Sequence, residues 1–233
     1  SVDKGTKNTE HFLYSRKTDL YMDLLQRNHQ LLLKGINCTF LRYLHARIEW
    51  EDRLIGIFGS RGVGKTTLLL QHIKLKFEDS REALYVNLDD FWFETHSLTD
   101  AVKEFLQAGG HYLFLDEIHF YSGWMEEVST LLDANPALKI VFATTSLYSQ
   151  TEVRNGLRHE AAFYVMHPMS FREFLSYESI LDKDPIPLED ILANHHDLVK
   201  EINAEMNIVP IYRNYLEHGC YPFYWQDPDM YYF

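Results

Sequence analysis

Apolar residues follow two different rhythms along this chain. Short uninterrupted runs occur at Leu54-Ile55-Gly56-Ile57-Phe58, Ala83 to Asn87, Tyr112 to Leu115, Lys139 to Ala143 and Phe163 to Met166. Runs of that length without polar alternation predict strands buried on both faces. Between them, apolar residues recur at helical spacing. Lys65 to Phe77 carries Leu68, Leu69, Ile73 and Phe77, Leu98 to Ala108 stops at Gly109-Gly110, and Gly123 to Leu132 runs into the turn signal Asn135-Pro136. Strands alternating with helices predict an α/β three-layer sandwich around a parallel five-stranded sheet.

The flanks have a different character. Thr18 to Leu33 shows helical periodicity, Gly35 and Asn37 punctuate, and a second helix is expected over Cys38 to Ile48. Residues 1 to 10 are polar and expected to fray. After Pro168 the pattern is helical only. Ser170-Phe171-Arg172-Glu173 has the form of a capping box. Asp182 to Leu188, with Pro185 and Pro187, reads as a connector into helices over 189 to 207 and 211 to 218. The expected organisation is a helical lead-in over 1–50, an α/β core over 51–168 and a small helical region over 169–233.

Charge and composition narrow the function classes. With 22 basic and 34 acidic residues the net charge is −12. Non-specific nucleic-acid affinity comes from cationic patches meeting phosphates, so DNA is a poor partner for this chain alone. No run of about 18 uncharged apolar residues exists, so no transmembrane helix and no membrane partner are expected. The two cysteines, Cys38 and Cys220, form no Cys-x-x-Cys pair, and the first residues lack a signal-peptide pattern. A cytoplasmic location is the expectation. The 12 histidines include no His-Glu-x-x-His motif.

The chemistry is concentrated at the strand ends. Gly59-Ser60-Arg61-Gly62-Val63-Gly64-Lys65-Thr66 fits G-x-x-x-x-G-K-[ST] in full, with a strand predicted before it and a helix after. Glycines let consecutive N–H groups wrap a phosphate, and the following helix directs its positive end at the same anion. Gly59, Arg61, Gly62, Val63, Gly64, Lys65, Thr66 and Thr67 are therefore the expected nucleotide cradle. Lys65 would act on the terminal phosphates and the Thr66 hydroxyl on Mg²⁺. Downstream, Tyr112-Leu113-Phe114-Leu115-Asp116-Glu117 is an apolar strand ending in two acids, the Walker B pattern. Asp116 is the expected second magnesium residue, and Glu117 the base that orients the attacking water. Ala143-Thr144-Thr145-Ser146 follows the next strand, and Thr144 or Thr145 is placed to touch the γ-phosphate or the water. The alternative for those hydroxyls is to satisfy a strand end.

In combination these residues resemble the AAA_14 family of prokaryotic AAA-type ATPases, over roughly residues 40 to 225. The resemblance rests on Arg53 through Leu69, on Leu113-Phe114-Leu115-Asp116-Glu117-Ile118-His119 with Trp124, on Met169-Ser170-Phe171-Arg172-Glu173-Phe174-Leu175, and on Tyr215 through Pro222. It implies a P-loop fold, ATP and Mg²⁺ as ligands, and ATP hydrolysis to ADP and phosphate. It also implies continuation past Phe233, since members commonly carry a C-terminal DUF4143-type or winged-helix region. Two departures stand out. Members usually have Thr-Gly-Ser-Ser where Ala143-Thr144-Thr145-Ser146 stands, and two basic residues where His159-Glu160 stands. Arg154 and Arg158 are the nearest substitutes for an arginine finger, so hydrolysis in isolation is expected to be slow. The other reading is a nucleotide-dependent switch that controls a partner or a further domain with little turnover. The aromatics Tyr221, Phe223, Tyr224 and Trp225 near the end call for a buried face, supplied by a following domain, by self-association with a second copy of the chain, or by folding back onto the α/β core.

Overall fold

The five apolar runs come together as one parallel sheet in a computed structural model that describes residues 21–77, 81–145, 150–181 and 183–222. Strands β1 (Leu54–Phe58), β2 (Ala83–Asn87), β3 (Tyr112–Asp116), β4 (Lys139–Thr144) and β5 (Ala162–Val165) lie in the order β2-β3-β4-β1-β5. Every pairing is parallel, with Phe58 opposite Thr144 and Asn87 opposite Asp116. The expected frayed start, the first three residues of the helix expected from Thr18, Ser146, Asp182 and the aromatics from Phe223 on lie outside the described residues.

The chain forms two units. One takes the described residues up to Ser60 and from Lys65 to Met166, and the other takes Arg61–Gly64 and the described residues from His167 on. In the first unit, α1 (residues 21–35) is followed by α2 (Lys65–Lys76), α3 (Leu98–Gln107), α4 (Trp124–Ala134) and α5 (Gln150–Gly156). Strand side chains alternate between faces. Leu54, Phe58, Leu84, Leu113, Ile140 and Phe142 therefore share one face, where they cluster with Phe105 of α3 and with Trp124, Val128 and Leu131 of α4. On the opposite face, Phe114 meets His72 of α2 and the neighbouring Phe77. Helices thus cover both faces, which is why every residue of β1 is buried.

Gly56 shows how tightly this core closes. A Cβ there would sit 2.6 Å from Cζ of Phe142 and 2.9 Å from Cδ1 of Phe163. The Phe142 ring cannot retreat easily, because Trp124 packs against it at 5.1 Å. Gly56→Ala is expected to cost about 1–3 kcal/mol by overpacking, read as a lower urea midpoint at unchanged slope.

Strand β2 is an edge strand, and α1 covers it. His29 Nδ1 accepts the Tyr85 backbone N–H at 3.1 Å. Tyr21 stacks on Trp92 at 3.9 Å and donates to Asp90 at 3.1 Å. One backbone donor on the open edge of the sheet, the Tyr85 N–H, is thereby satisfied from within the chain.

The sequence reading departs from the structure in three places. No α-helix spans Cys38 to Ile48, where only a 3₁₀ turn at Tyr43–Arg47 forms. The carbonyls of Asn37 and Phe40 are taken by the Gln71 amide, and that of Ile36 by Lys74, so this segment is tied to α2 instead of bonding to itself. Helix α5 was not foreseen at all. The last helices are α7 (Leu188–Glu205), kinked at Asn194, and α8 (Ile208–Asn214), followed by a π-helical turn at Tyr215–Gly219.

Within the second unit, α6 (Phe171–Tyr177) starts on the expected capping box, with Ser170 and Glu173 each bonding the other's backbone N–H. Tyr215 closes the unit by donating to the Met169 carbonyl at 2.8 Å, amid the rings of Phe171, Phe174 and Tyr212.

Candidate nucleotide site

The site grows from the end of β1. The Gly59 N–H donates to the Thr144 carbonyl at 3.2 Å, which joins the start of the turn to the end of β4. The turn then needs backbone angles that side chains resist: Gly62 has φ 84° and Gly64 φ 98°. Arg61 is exposed at its tip and Val63 is buried. Helix α2 begins at Lys65, with Thr66 and Thr67 in its first turn.

Lys65 is 5% exposed, and its ammonium donates to the carbonyls of Gly59 at 3.0 Å and Ser60 at 3.1 Å. The Thr66 hydroxyl donates to Asp116 Oδ2 at 2.5 Å. Asp116 ends β3 and is 1% exposed. Its Oδ2 also accepts from the Tyr85 hydroxyl at 2.9 Å, and its Oδ1 accepts from the Glu117 N–H at 2.9 Å. A buried carboxylate is tolerated only when so bonded. Burial and the adjacent Asp116 push the Tyr85 hydroxyl pKa strongly up, so it stays a donor.

Glu117 holds a left-handed backbone, φ 51° and ψ 38°. A non-glycine residue in that region costs of order 1–3 kcal/mol, and such residues cluster where a side chain must be aimed. Its carboxylate lies 3.5 Å from Nδ1 of the buried His119. The strand order puts β4 between β3 and β1, so Thr144, the last residue of β4, lies between the strand that ends in Asp116 and the strand that ends in Phe58. The hydroxyls of Thr144 and Thr145 are both buried without a hydrogen-bond partner among the described residues. A cavity of about 520 Å³ opens beside Thr66, lined by Tyr85, Asn87, Asp89 and Asp90 with Leu25 and Asn28 of α1.

The basic substitutes are engaged elsewhere. Arg158 pairs with Asp133 of α4 at 2.9 Å, His159 bonds the same carboxylate at 2.9 Å, and Arg154 lies over the Phe163 ring. Sequence reasoning missed Tyr85, because which strand neighbours β3 is not visible in the order of elements along the chain.

A parallel sheet with a glycine turn between β1 and a lysine-headed helix defines the P-loop nucleoside-triphosphatase fold. Residues 51–175, more than half of the chain, match the AAA_14 family, described as an AAA domain, and the chain belongs to that family. Membership supports nucleotide binding. No curated protein matches the chain. Solved structures that are similar in part include the following two. PCH-2 of C. elegans is 15% identical, with 74% of this chain and 50% of that chain covered, at a TM-score of 0.36. AMPPCP-bound DnaA from Aquifex aeolicus is 19% identical, with 64% and 53% covered, at a TM-score of 0.38. The chain spans about half the length of each. Among the described residues, no helix is long and apolar enough to cross a membrane.

Proposed function

We propose that this chain binds ATP with Mg²⁺ on the turn between β1 and α2 and hydrolyses the γ-phosphate, with residues 51–168 as its catalytic core. The observation that carries the reading is the 2.5 Å bond between Thr66 and Asp116. It joins the hydroxyl at the head of a phosphate-binding helix to a buried carboxylate on the neighbouring strand. Two hard oxygen donors in contact suit Mg²⁺, which completes its shell with phosphate oxygens and water. When bound, the ion neutralises charge on the β- and γ-phosphates. Backbone N–H groups from Arg61 to Thr66 hold the phosphates, with Gly59 and Thr67 flanking them. Lys65 exchanges its loop carbonyls for terminal phosphate oxygens. Glu117 accepts a hydrogen bond from the attacking water and aims it in line. The buried hydroxyl of Thr145, with Thr144 beside it, finds its acceptor in the γ-phosphate or that water.

Turnover of the isolated chain is slow on this reading. An arginine finger is worth about 10³–10⁵ in rate, and Arg158 and His159 are committed to Asp133. The same observation favours a second reading, a nucleotide-dependent switch that signals its state to a partner or to another copy of the chain. Both readings require nucleotide binding through Lys65. Calorimetry should show ATP affinity falling about 10- to 100-fold in Lys65→Ala, the loss of hydrogen bonds between charged groups. Undiminished affinity in that variant would remove the basis of both.

A further inference from the structure

We propose that Tyr85 is a positioning residue for the magnesium site: its hydroxyl holds Asp116 in the one orientation that serves the ion. This rests on the reading of Asp116 given above. The pleat puts Tyr85, Asn87, Phe114 and Asp116 on the same face of adjacent strands, with Tyr85 opposite Phe114 and Asn87 opposite Asp116. The tyrosine is long enough to span that two-residue offset, and its hydroxyl reaches Oδ2 at 2.9 Å.

Lone-pair accounting shows what the contact does. A carboxylate offers about four acceptor sites. On Asp116, Oδ2 receives Thr66 and Tyr85, and Oδ1 receives the Glu117 N–H. Among the described residues this leaves one direction, on Oδ1, for the ion or for a water bound to it. Removing the Tyr85 hydroxyl opens a second direction and lets the carboxylate rotate about its terminal torsion, which is broad for Asp.

Tyr85 is itself anchored from behind. Its strand is the sheet edge, and its backbone N–H is bonded to His29 of α1, which is 2% exposed. The hydroxyl therefore approaches Asp116 from a fixed backbone. Tyr85 and Thr66 also line the same cavity. Groups that orient a metal residue in this way commonly change metal affinity by about 10- to 100-fold when removed.

The test uses the full chain, with Mg²⁺ titrated against ATP binding and Mn²⁺ bound to the ADP complex followed by electron paramagnetic resonance. Tyr85→Phe should raise the Mg²⁺ concentration needed for half-maximal tightening of ATP by about 10-fold or more, and weaken Mn²⁺ similarly. ATP affinity in EDTA should stay at the wild-type value, while the melting temperature falls in EDTA and Mg²⁺ alike, because a buried hydrogen bond to a carboxylate is lost. 4-Aminophenylalanine at position 85 keeps a donor in place and should largely restore the metal dependence. That variant also decides the matter should Tyr85→Phe not fold. Wild-type metal dependence in Tyr85→Phe, or no rescue by the amino analogue, overturns the role of Tyr85. A wild-type protein whose ATP binding ignores Mg²⁺ overturns the underlying reading instead.

Discussion

Glu117→Gln is expected to leave ATP binding intact and to cut hydrolysis by about 10²–10⁴-fold, the usual worth of a positioned general base. The substitution keeps size and shape but removes the negative charge and the ability to take a proton. It leaves the Glu117 N–H on Asp116 Oδ1, a backbone bond that the substitution does not touch. The left-handed backbone at this residue aims the side chain independently of its charge. Binding and turnover should therefore separate cleanly. Single-turnover hydrolysis and nucleotide retention after desalting measure the two, and the variant should trap ATP where the wild type releases ADP. Equal turnover in both proteins would favour the switch reading and take Glu117 out of the chemistry.

Acidification is expected to destabilise the sheet unit well before carboxylates protonate. His29 is buried, and burial pushes its pKa from 6.5 down to about 4. The folded state thus binds this proton more weakly than the unfolded chain does. Its contribution is complete above pH 6.5 and is lost as pH falls through about 4, where both states are protonated. The span corresponds to about 3 kcal/mol. Protonation at Nδ1 would also turn the acceptor of the Tyr85 N–H into a donor facing a donor. His72 acts in the same direction. Burial first, then the nearby His45 and Lys76, lower it to about 3, and it stacks on Trp50 at 3.7 Å. Urea unfolding at pH 7 and pH 4.5 should show His29→Gln losing less stability than wild type, because a glutamine carbonyl accepts the same bond and does not titrate. Parallel losses in the two proteins would show that His29 is not the group that senses acid.

Much of this molecule is legible because its information is local. Uninterrupted apolar runs name the five strands, since a strand buried on both faces admits few polar residues. Gly109, at φ 93°, ends α3 where a side chain would be strained. Ser170 and Glu173 announce α6, because a capping box closes within four residues. The glycine turn is readable for the same reason, as its spacing is itself the geometry of a phosphate cradle. The misread helix over Cys38 to Ile48 failed for the opposite reason. The carbonyl of Phe40, and those of Ile36 and Asn37 just before the segment, bond to Gln71 and Lys74, residues far away in the chain.

Sequence alone thus determined the α/β alternation, the glycine turn between β1 and α2 and the acidic pair Asp116-Glu117 at a strand end, each a pattern contained in a few consecutive residues. Tertiary structure decided which strands adjoin. The order β2-β3-β4-β1-β5 puts Asp116 against Thr66, sets Tyr85 on the same carboxylate, and brings Thr144 beside the turn. It also turned Arg158 and His159 onto Asp133. These contacts join residues remote in the chain, and strand adjacency is set by how apolar faces pack together, which no short window of sequence contains.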